Sequence, residues 1–393
     1  MNEKAKALTF TSLGHFINDG FLVIFPILSI YYISMGINPT AIGIFGAVYN
    51  FLSGFLGAPV GKLGDESGKY SELMYLGFLL IALGGVSYLV SFLTGSLVLR
   101  YIFVFLGSLF LGFGLGFYHP LGGAILQHKF EKQEAPRALG INGALGSLGR
   151  ALAPYVFVSL FEALGIKMGL GMMVVFTIII STIIYFGLKG VSVEVKEERK
   201  ENGASGSVKP YMYVIVPLTI IVFVRSMFIA GVQLFAPTYL AKIYISKQLV
   251  GIFLTVSYAT AIVGQPFFGD LTARIGGRLV VYITTVFSTA FYLIFLFVKS
   301  FYAQLISFAL FAFFALSGFP NLLGYVSQVV DKSVFARANG IVWSYGNMLG
   351  GALGMIIGGP IIQYLGFFEG MLAYGLLGVV SSVLLIMLPK TRK

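Results

Sequence analysis

Apolar residues run along this chain in long stretches broken by short polar connections. A helix needs about 20 apolar residues to cross a bilayer. That window finds twelve runs: 8–34, 41–60, 72–93, 97–126, 138–161, 168–189, 211–240, 249–268, 279–299, 302–328, 338–364 and 367–388. The runs are continuously apolar and do not alternate, so they predict helices and not the strands of a barrel. Between the sixth and seventh lies GVSVEVKEERKENGASGSVKP, charged and rich in Gly and Ser, which is the composition of a flexible linker. The pattern predicts an all-α membrane protein: twelve transmembrane helices in two six-helix bundles, 1–190 and 211–393, joined by a linker over 191–210.

The bundles repeat. GKLGDESGKY (61–70) aligns with GDLTARIGGR (269–278) at an offset of 208. Pro120, Arg137, Ala138, Gly140, Ile141 and Gly146 match Pro320, Arg337, Ala338, Gly340, Ile341 and Gly346 at an offset of 200. Six helices per copy preserve orientation, so the predicted copies are pseudo-symmetric about an axis along the membrane normal.

Composition sharpens the class. Hydrophobic residues make up 58% and charged residues 10% of the 393, against roughly 25% charge in soluble domains. The surface must therefore be covered by lipid. Cysteine is absent, which removes disulfides, thiolate metal sites and a cysteine nucleophile. The three histidines are scattered, and the sequence predicts no metal and no cofactor. The net charge of +11 would suit nucleic acid, but its distribution does not. Most Lys and Arg fall at the N-terminus, in the even-numbered connections and at the C-terminus. Arg100, Lys167, Lys242, Lys247 and Lys299 lie on the other side, while Arg150 and Arg225 sit within helices. This positive-inside asymmetry predicts a multi-pass protein of the cytoplasmic membrane with both termini in the cytoplasm. The first run contains His15, Asn18 and Asp19 and lacks a convincing cleavage site, so it reads as a membrane helix and not as a signal peptide.

The segment 61–70 resembles the loop signature of the major facilitator superfamily, roughly G-x-L-[AG]-D-x-x-G-[RK]. Gly61, Leu63, Gly64, Asp65, Gly68 and Lys69 fit, and Glu66 stands where a base is usual. The second copy keeps Gly269, Leu271, Arg274, Gly276 and Arg278, with Ala273 in place of the aspartate. The resemblance covers essentially the whole chain. It implies the major facilitator fold and a gating loop built from Gly61, Asp65, Gly68 and Arg274, with Asp65 as a latch. GHFINDG (14–20), FYHPLGGA (117–124) and VRSMFIAG (224–231) further resemble the fosmidomycin-resistance-like branch. Here a Tyr separates Phe117 from His119, and Leu121 replaces an acidic residue. The branch implies proton-driven efflux of a small compound, with anionic compounds among the candidates.

Charges inside membrane helices are rare, because each costs at least about 2.5–3.5 kcal/mol at the helix centre. Asp19, Arg150 and Arg225 are the mid-helix charges. At 1.5 Å of rise per residue, all three reach roughly 17–21 Å from the cytoplasmic side, near the midplane. One polar site between the halves is expected. His15 shares a face with Asp19, one turn away. His119 adjoins Pro120, where the helical hydrogen-bond ladder is expected to break. Each also has a structural reading: a static ion pair for Asp19, Arg150 and Arg225, a backbone hydrogen bond for His15, and a helix kink for His119.

With Asp19 ionised and two arginines nearby, the site carries about one net positive charge, and guanidinium forks suit carboxylate or phosphonate. The expected roles are proton coupling at Asp19 and His15, and solute binding at Arg150, Arg225 and His119. Asn18, Asn142, Gln233, Asn321, Tyr325, Trp343, Tyr345 and Asn347 are candidate neutral contacts. The expected partners are a small-molecule solute, protons and the lipid bilayer, with no nucleic acid, on a monomeric chain. Two alternatives stand: an exporter of lipophilic cations using Asp19 as counter-charge, and a membrane-embedded transferase using His15 and Asp19 as an acid–base pair. The short outer loops and the internal duplication oppose the second, and no enzyme activity is expected.

Overall fold

A computed structural model describes residues 2–131, 133–191, 207–244, 246–331 and 334–389; most of the linker expected over 191–210 lies outside them. The helices in chain order are α1 (Glu3–Ser34), α2 (Pro39–Ser67), α3 (Tyr70–Leu93), α4 (Leu97–Lys129), α5 (Ala135–Leu164), α6 (Ile166–Leu188), α7 (Lys209–Ile243), α8 (Lys247–Ile275) and α9 (Gly277–Phe297). Then come α10, in two pieces (Phe301–Leu316 and Gly318–Val329), α11 (Arg337–Leu365) and α12 (Phe367–Met387). Eleven helices are long and apolar enough to span a membrane, and Phe301–Leu316 is a shorter apolar helix. No strand occurs among the described residues.

Several boundaries depart from the hydropathy pattern. α1 begins at Glu3, where Asn2 caps it by accepting from the Ala5 N–H at 2.8 Å. It stops at Phe21 and restarts at Ile24. Pro26 has no N–H to give the Leu22 carbonyl, and the Tyr49 hydroxyl donates to it instead, at 3.4 Å. The expected loop 61–70 is shorter than the motif suggested. Gly61, Gly64 and Asp65 are helical, and only Gly68, with φ of 68°, makes the left-handed turn. At Pro120 the expected break is limited to the one bond a proline cannot donate, and α4 runs on through it. The matching proline, Pro320, belongs to the second piece of α10, which starts after an interruption at Ser317.

The described residues form two compact units. One takes in Met1–Ile37, Val48–Glu197 and Leu240–Thr255; the other takes in Asn38–Ala47, Glu198–Tyr239 and Val256–Lys393. In the first, Lys247 Nζ lies 3.2 Å from Glu162 Oε1, which also accepts from the Tyr31 hydroxyl at 3.0 Å. In the second, the Thr40 hydroxyl donates to Gln363 Oε1 at 2.5 Å. Each half of the sequence thus lends a short segment to the unit built mainly from the other half.

Small residues set the closest helix contacts, as expected where lipid supplies no hydrophobic drive between helices. In α5, Gly146 lies against the His15 ring and Gly149 against the Phe16 backbone. In α11, Gly346 lies against Val222, Gly350 against the Phe223 backbone and Gly354 against that of Met227. The pairs correspond, yet the two α5 glycines are three residues apart and their α11 counterparts four. The extra residue in α11 falls within or beside Val342–Met348, a stretch of π-helix. A wider helical turn absorbs one residue while keeping both flanks in register.

Candidate functional site

In the first unit α1, α4 and α5 bring six predicted residues together: His15, Asn18, Asp19, His119, Asn142 and Arg150. Asp19 is almost fully buried, and its Oδ2 accepts from Arg150 Nη2 at 2.5 Å. Its Oδ1 faces two imidazoles: His15 Nε2 at 3.5 Å and His119 Nε2 at 3.4 Å. Asn18 Nδ2 approaches the same oxygen at 3.3 Å. His15 reaches Asp19 because positions four apart share a helix face, and Gly146 leaves space for its ring.

A chain of neutral groups fixes the His15 ring. The Tyr118 hydroxyl donates to the Thr11 carbonyl at 2.6 Å and accepts from Asn142 Nδ2 at 2.8 Å. The Thr11 hydroxyl donates to the Ala7 carbonyl at 2.7 Å and accepts from the same Nδ2 at 3.3 Å. Asn142 therefore turns its oxygen toward His15 Nδ1, at 2.7 Å. A flipped amide would set that oxygen against two hydroxyls whose hydrogens point elsewhere. His15 Nδ1 is consequently the donor, and Nε2 is the nitrogen left to face Asp19.

In the second unit Arg225 of α7 is 6% exposed. Its Nη2 donates to the Ala315 carbonyl at 3.1 Å and lies 3.5 Å from that of Phe314. Those carbonyls close the first piece of α10, where a helix C-terminus has acceptors to spare and favours a cation. Gly318 makes the approach possible, because a Cβ there would stand 2.6 Å from Nη2. Arg225 Nε has no hydrogen-bond partner among the described residues, and no carboxylate pairs with the guanidinium there. Asn18 Oδ1 and Arg150 Nε, both in the first unit, are likewise buried without a partner among the described residues. Asn347 Oδ1 accepts from the Ser226 hydroxyl at 2.8 Å.

The remaining predicted residues fall as follows. Gln233 is half-buried in α7, and Tyr345 is 62% exposed in the π segment. The Asn321 side chain lies outside the described residues. Tyr325 packs in a hydrophobic core and donates to the Pro389 carbonyl at 3.1 Å, so it braces the end of the chain. Asp65 accepts from the Tyr70 hydroxyl at 2.7 Å, and Arg274 pairs with Asp270 one turn away, at 2.8 Å. Tyr118, Thr11, Ser226 and Gly318 were not singled out in the sequence. Tyr118 and Ser226 carried a signal, standing beside His119 and Arg225 within the quoted motifs.

Eleven helices of membrane-spanning length and apolarity, with charges buried inside them, define a polytopic membrane protein. The sequence matches the family model described as Major Facilitator Superfamily over residues 8–244 and 218–393, and the chain belongs to that superfamily: it is a membrane transporter and not an enzyme. No curated protein matches it. Among solved structures it is similar to the nucleoside transporter NupG, with 16% identity, a TM-score of 0.79, and 99% and 100% of the two chains covered. It is also similar to a bacterial homologue of the human lysosomal transporter Spinster (13%, 0.78, 100% and 98%). A third is a D-xylose–proton symporter (13%, 0.78, 99% and 99%). At these identities the likeness is one of fold.

Proposed function

We propose that the chain is a secondary active transporter that moves a small anionic organic solute across the cytoplasmic membrane by alternating access, in proton-coupled efflux, as its resemblance to the fosmidomycin-resistance-like branch implies. The carrying observation is Arg225: a buried guanidinium with no carboxylate beside it among the described residues. A buried charge without a counter-charge costs several kcal/mol, and a carboxylate or phosphonate on the solute would offset that cost through a forked contact. The same charge repels a lipophilic cation, which disfavours the multidrug reading.

In this reading the Asp19 cluster carries the proton. Low dielectric disfavours an ionised carboxylate and an adjacent guanidinium favours it, so a change in the Asp19–Arg150 contact changes whether the proton stays. His15 relays it, Arg225 and Arg150 hold the solute, and His119, Asn18, Asn142, Gln233, Asn321, Tyr345 and Asn347 are the supporting contacts. The bundles 1–190 and 211–393 are the moving bodies, with Gly61, Asp65, Gly68 and Arg274 at the gate, and the working unit is a monomer with both termini in the cytoplasm.

Two measurements separate the parts. A small phosphonate or carboxylate that raises the melting temperature of the wild-type protein should fail to do so in Arg225→Ala; an unchanged shift would remove the anion site. In proteoliposomes loaded with that solute, Asp19→Asn should abolish pH-driven movement. Should both transport and its pH dependence survive, Asp19 is not the carrier.

A further inference from the structure

We propose that His15, Asp19 and His119 form a binding site for a divalent transition-metal ion of the zinc class, with Asn142 as its positioning residue. The three side chains each offer one ligand atom, and these atoms all lie within 4.8 Å of one another. His15 Nε2 and His119 Nε2 stand 3.5 and 3.4 Å from the same oxygen, Asp19 Oδ1. Such distances are long for a charge-assisted hydrogen bond, which closes to about 2.7–2.9 Å. Those two separations match the edge of a tetrahedron whose centre bonds nitrogen and oxygen at about 2.0–2.2 Å, an edge of about 3.3–3.6 Å; the widest pair of the cluster, within 4.8 Å, closes up as the ion draws the two rings together.

The hydrogen-bond network supplies the second argument. Asn142 fixes the His15 proton on Nδ1, so neutral His15 turns the Nε2 lone pair toward an oxygen that also carries lone pairs. A positive species between them removes that conflict. A neutral imidazole held by an amide oxygen on its far nitrogen is also the usual way a metal-binding histidine is oriented. Two imidazoles and one carboxylate suit zinc, cobalt and nickel better than magnesium, calcium or sodium, which prefer oxygen alone.

The His119 side chain is 54% exposed, so the cluster is not closed by protein on that side and has room for a further ligand. Arg150 occupies Asp19 Oδ2, not Oδ1. Its own charge weakens the binding of a further cation. The ion is therefore held reversibly and not as a permanent structural metal. This inference concerns the cluster used in the proposed function, but it does not rest on that reading, because ligation is measured without solute or transport.

The test uses the purified full-length protein in detergent, free of any histidine tag, titrated with Co²⁺ as a spectroscopic probe and then with Zn²⁺. Wild type should develop the visible d–d bands of a four- or five-coordinate ion at one Co²⁺ per chain, and Zn²⁺ should bleach them. His119→Ala, at a half-exposed position that the fold tolerates, should lose the bands. Asn142→Ala should keep them and weaken binding by about 10–100-fold. His128→Ala, at the far end of α4, should bind as wild type does. Absence of bands in wild type, retention of bands in His119→Ala, or equal loss in His128→Ala would each overturn the site.

Discussion

Asp19 and Arg150 lie 131 positions apart in the sequence and meet at 2.5 Å. The glycine contacts align His15 with Val222 and Phe16 with Phe223. By the same spacing Asn18 corresponds to Arg225 and Asp19 to Ser226. The first copy therefore holds an acid closed by an arginine and two histidines. The second holds a hydroxyl bonded to Asn347 and, one residue earlier, a cation with no counter-charge among the described residues. Removing one partner of a buried pair strands the other. Arg150→Ala should destabilise the protein by about 3 kcal/mol, the low end for buried pairs because Arg150 keeps a quarter of its side chain exposed. Adding Asp19→Asn should restore most of that loss. Denaturant unfolding of the two single variants and the double variant decides the matter, and additive losses would show that the pair is not coupled. The charged members of this cluster were legible in the sequence because charge within an apolar run is conspicuous. Thr11 was not, since hydroxyls are common in membrane helices and only the network gives it a role. Gly318 was equally silent: nothing in sequence marks a glycine that makes room for an arginine three helices away.

The two copies carry the same proline and treat it differently. α4 continues through Pro120, while α10 is interrupted at Ser317, where the Phe314 and Ala315 carbonyls turn to Arg225. A proline removes one ladder bond in either case. In α10 the Arg225 guanidinium takes the two carbonyls ahead of the interruption, while no arginine bonds an α4 carbonyl among the described residues. Hydropathy found both helices and could not tell them apart on this point. The π segment of α11 was hidden for a similar reason, since one extra residue leaves the apolar pattern intact. That residue makes a clean test. Deleting Leu349, which is exposed and lies between Gly346 and Gly350, should return the segment to ordinary helix and give those two glycines the three-residue spacing of their α5 counterparts, with their contacts kept. The variant should fold with a melting temperature close to that of wild type and transport more slowly, because wide turns of this kind are kept where a helix must flex. Equal rates would assign the segment a packing role alone. Trp343, the chain's single tryptophan, lies within it and offers a fluorescence readout of the same comparison.

At the scale of the whole molecule the apolar runs dictated the fold, because a bilayer admits few ways to satisfy a backbone. All twelve expected helices are present, eleven as full spans and one as two shorter pieces. The solute was far less legible, as a handful of side chains decides it and fold-level likeness does not reach them. Orientation can be checked directly, because the chain contains no cysteine. A cysteine introduced at Asn2 should react with an impermeant maleimide only in inside-out vesicles, and labelling in intact cells would reverse the assigned topology. The exchanged segments carry a last consequence. Leu240–Thr255 belongs to the unit built mainly from the first half, and Asn38–Ala47 to the unit built mainly from the second. Neither half alone owns all the pieces of its own body. Two separately translated polypeptides, cut between residues 200 and 201, should therefore find each other in the membrane, copurify on a single affinity handle and recover carriage of the solute.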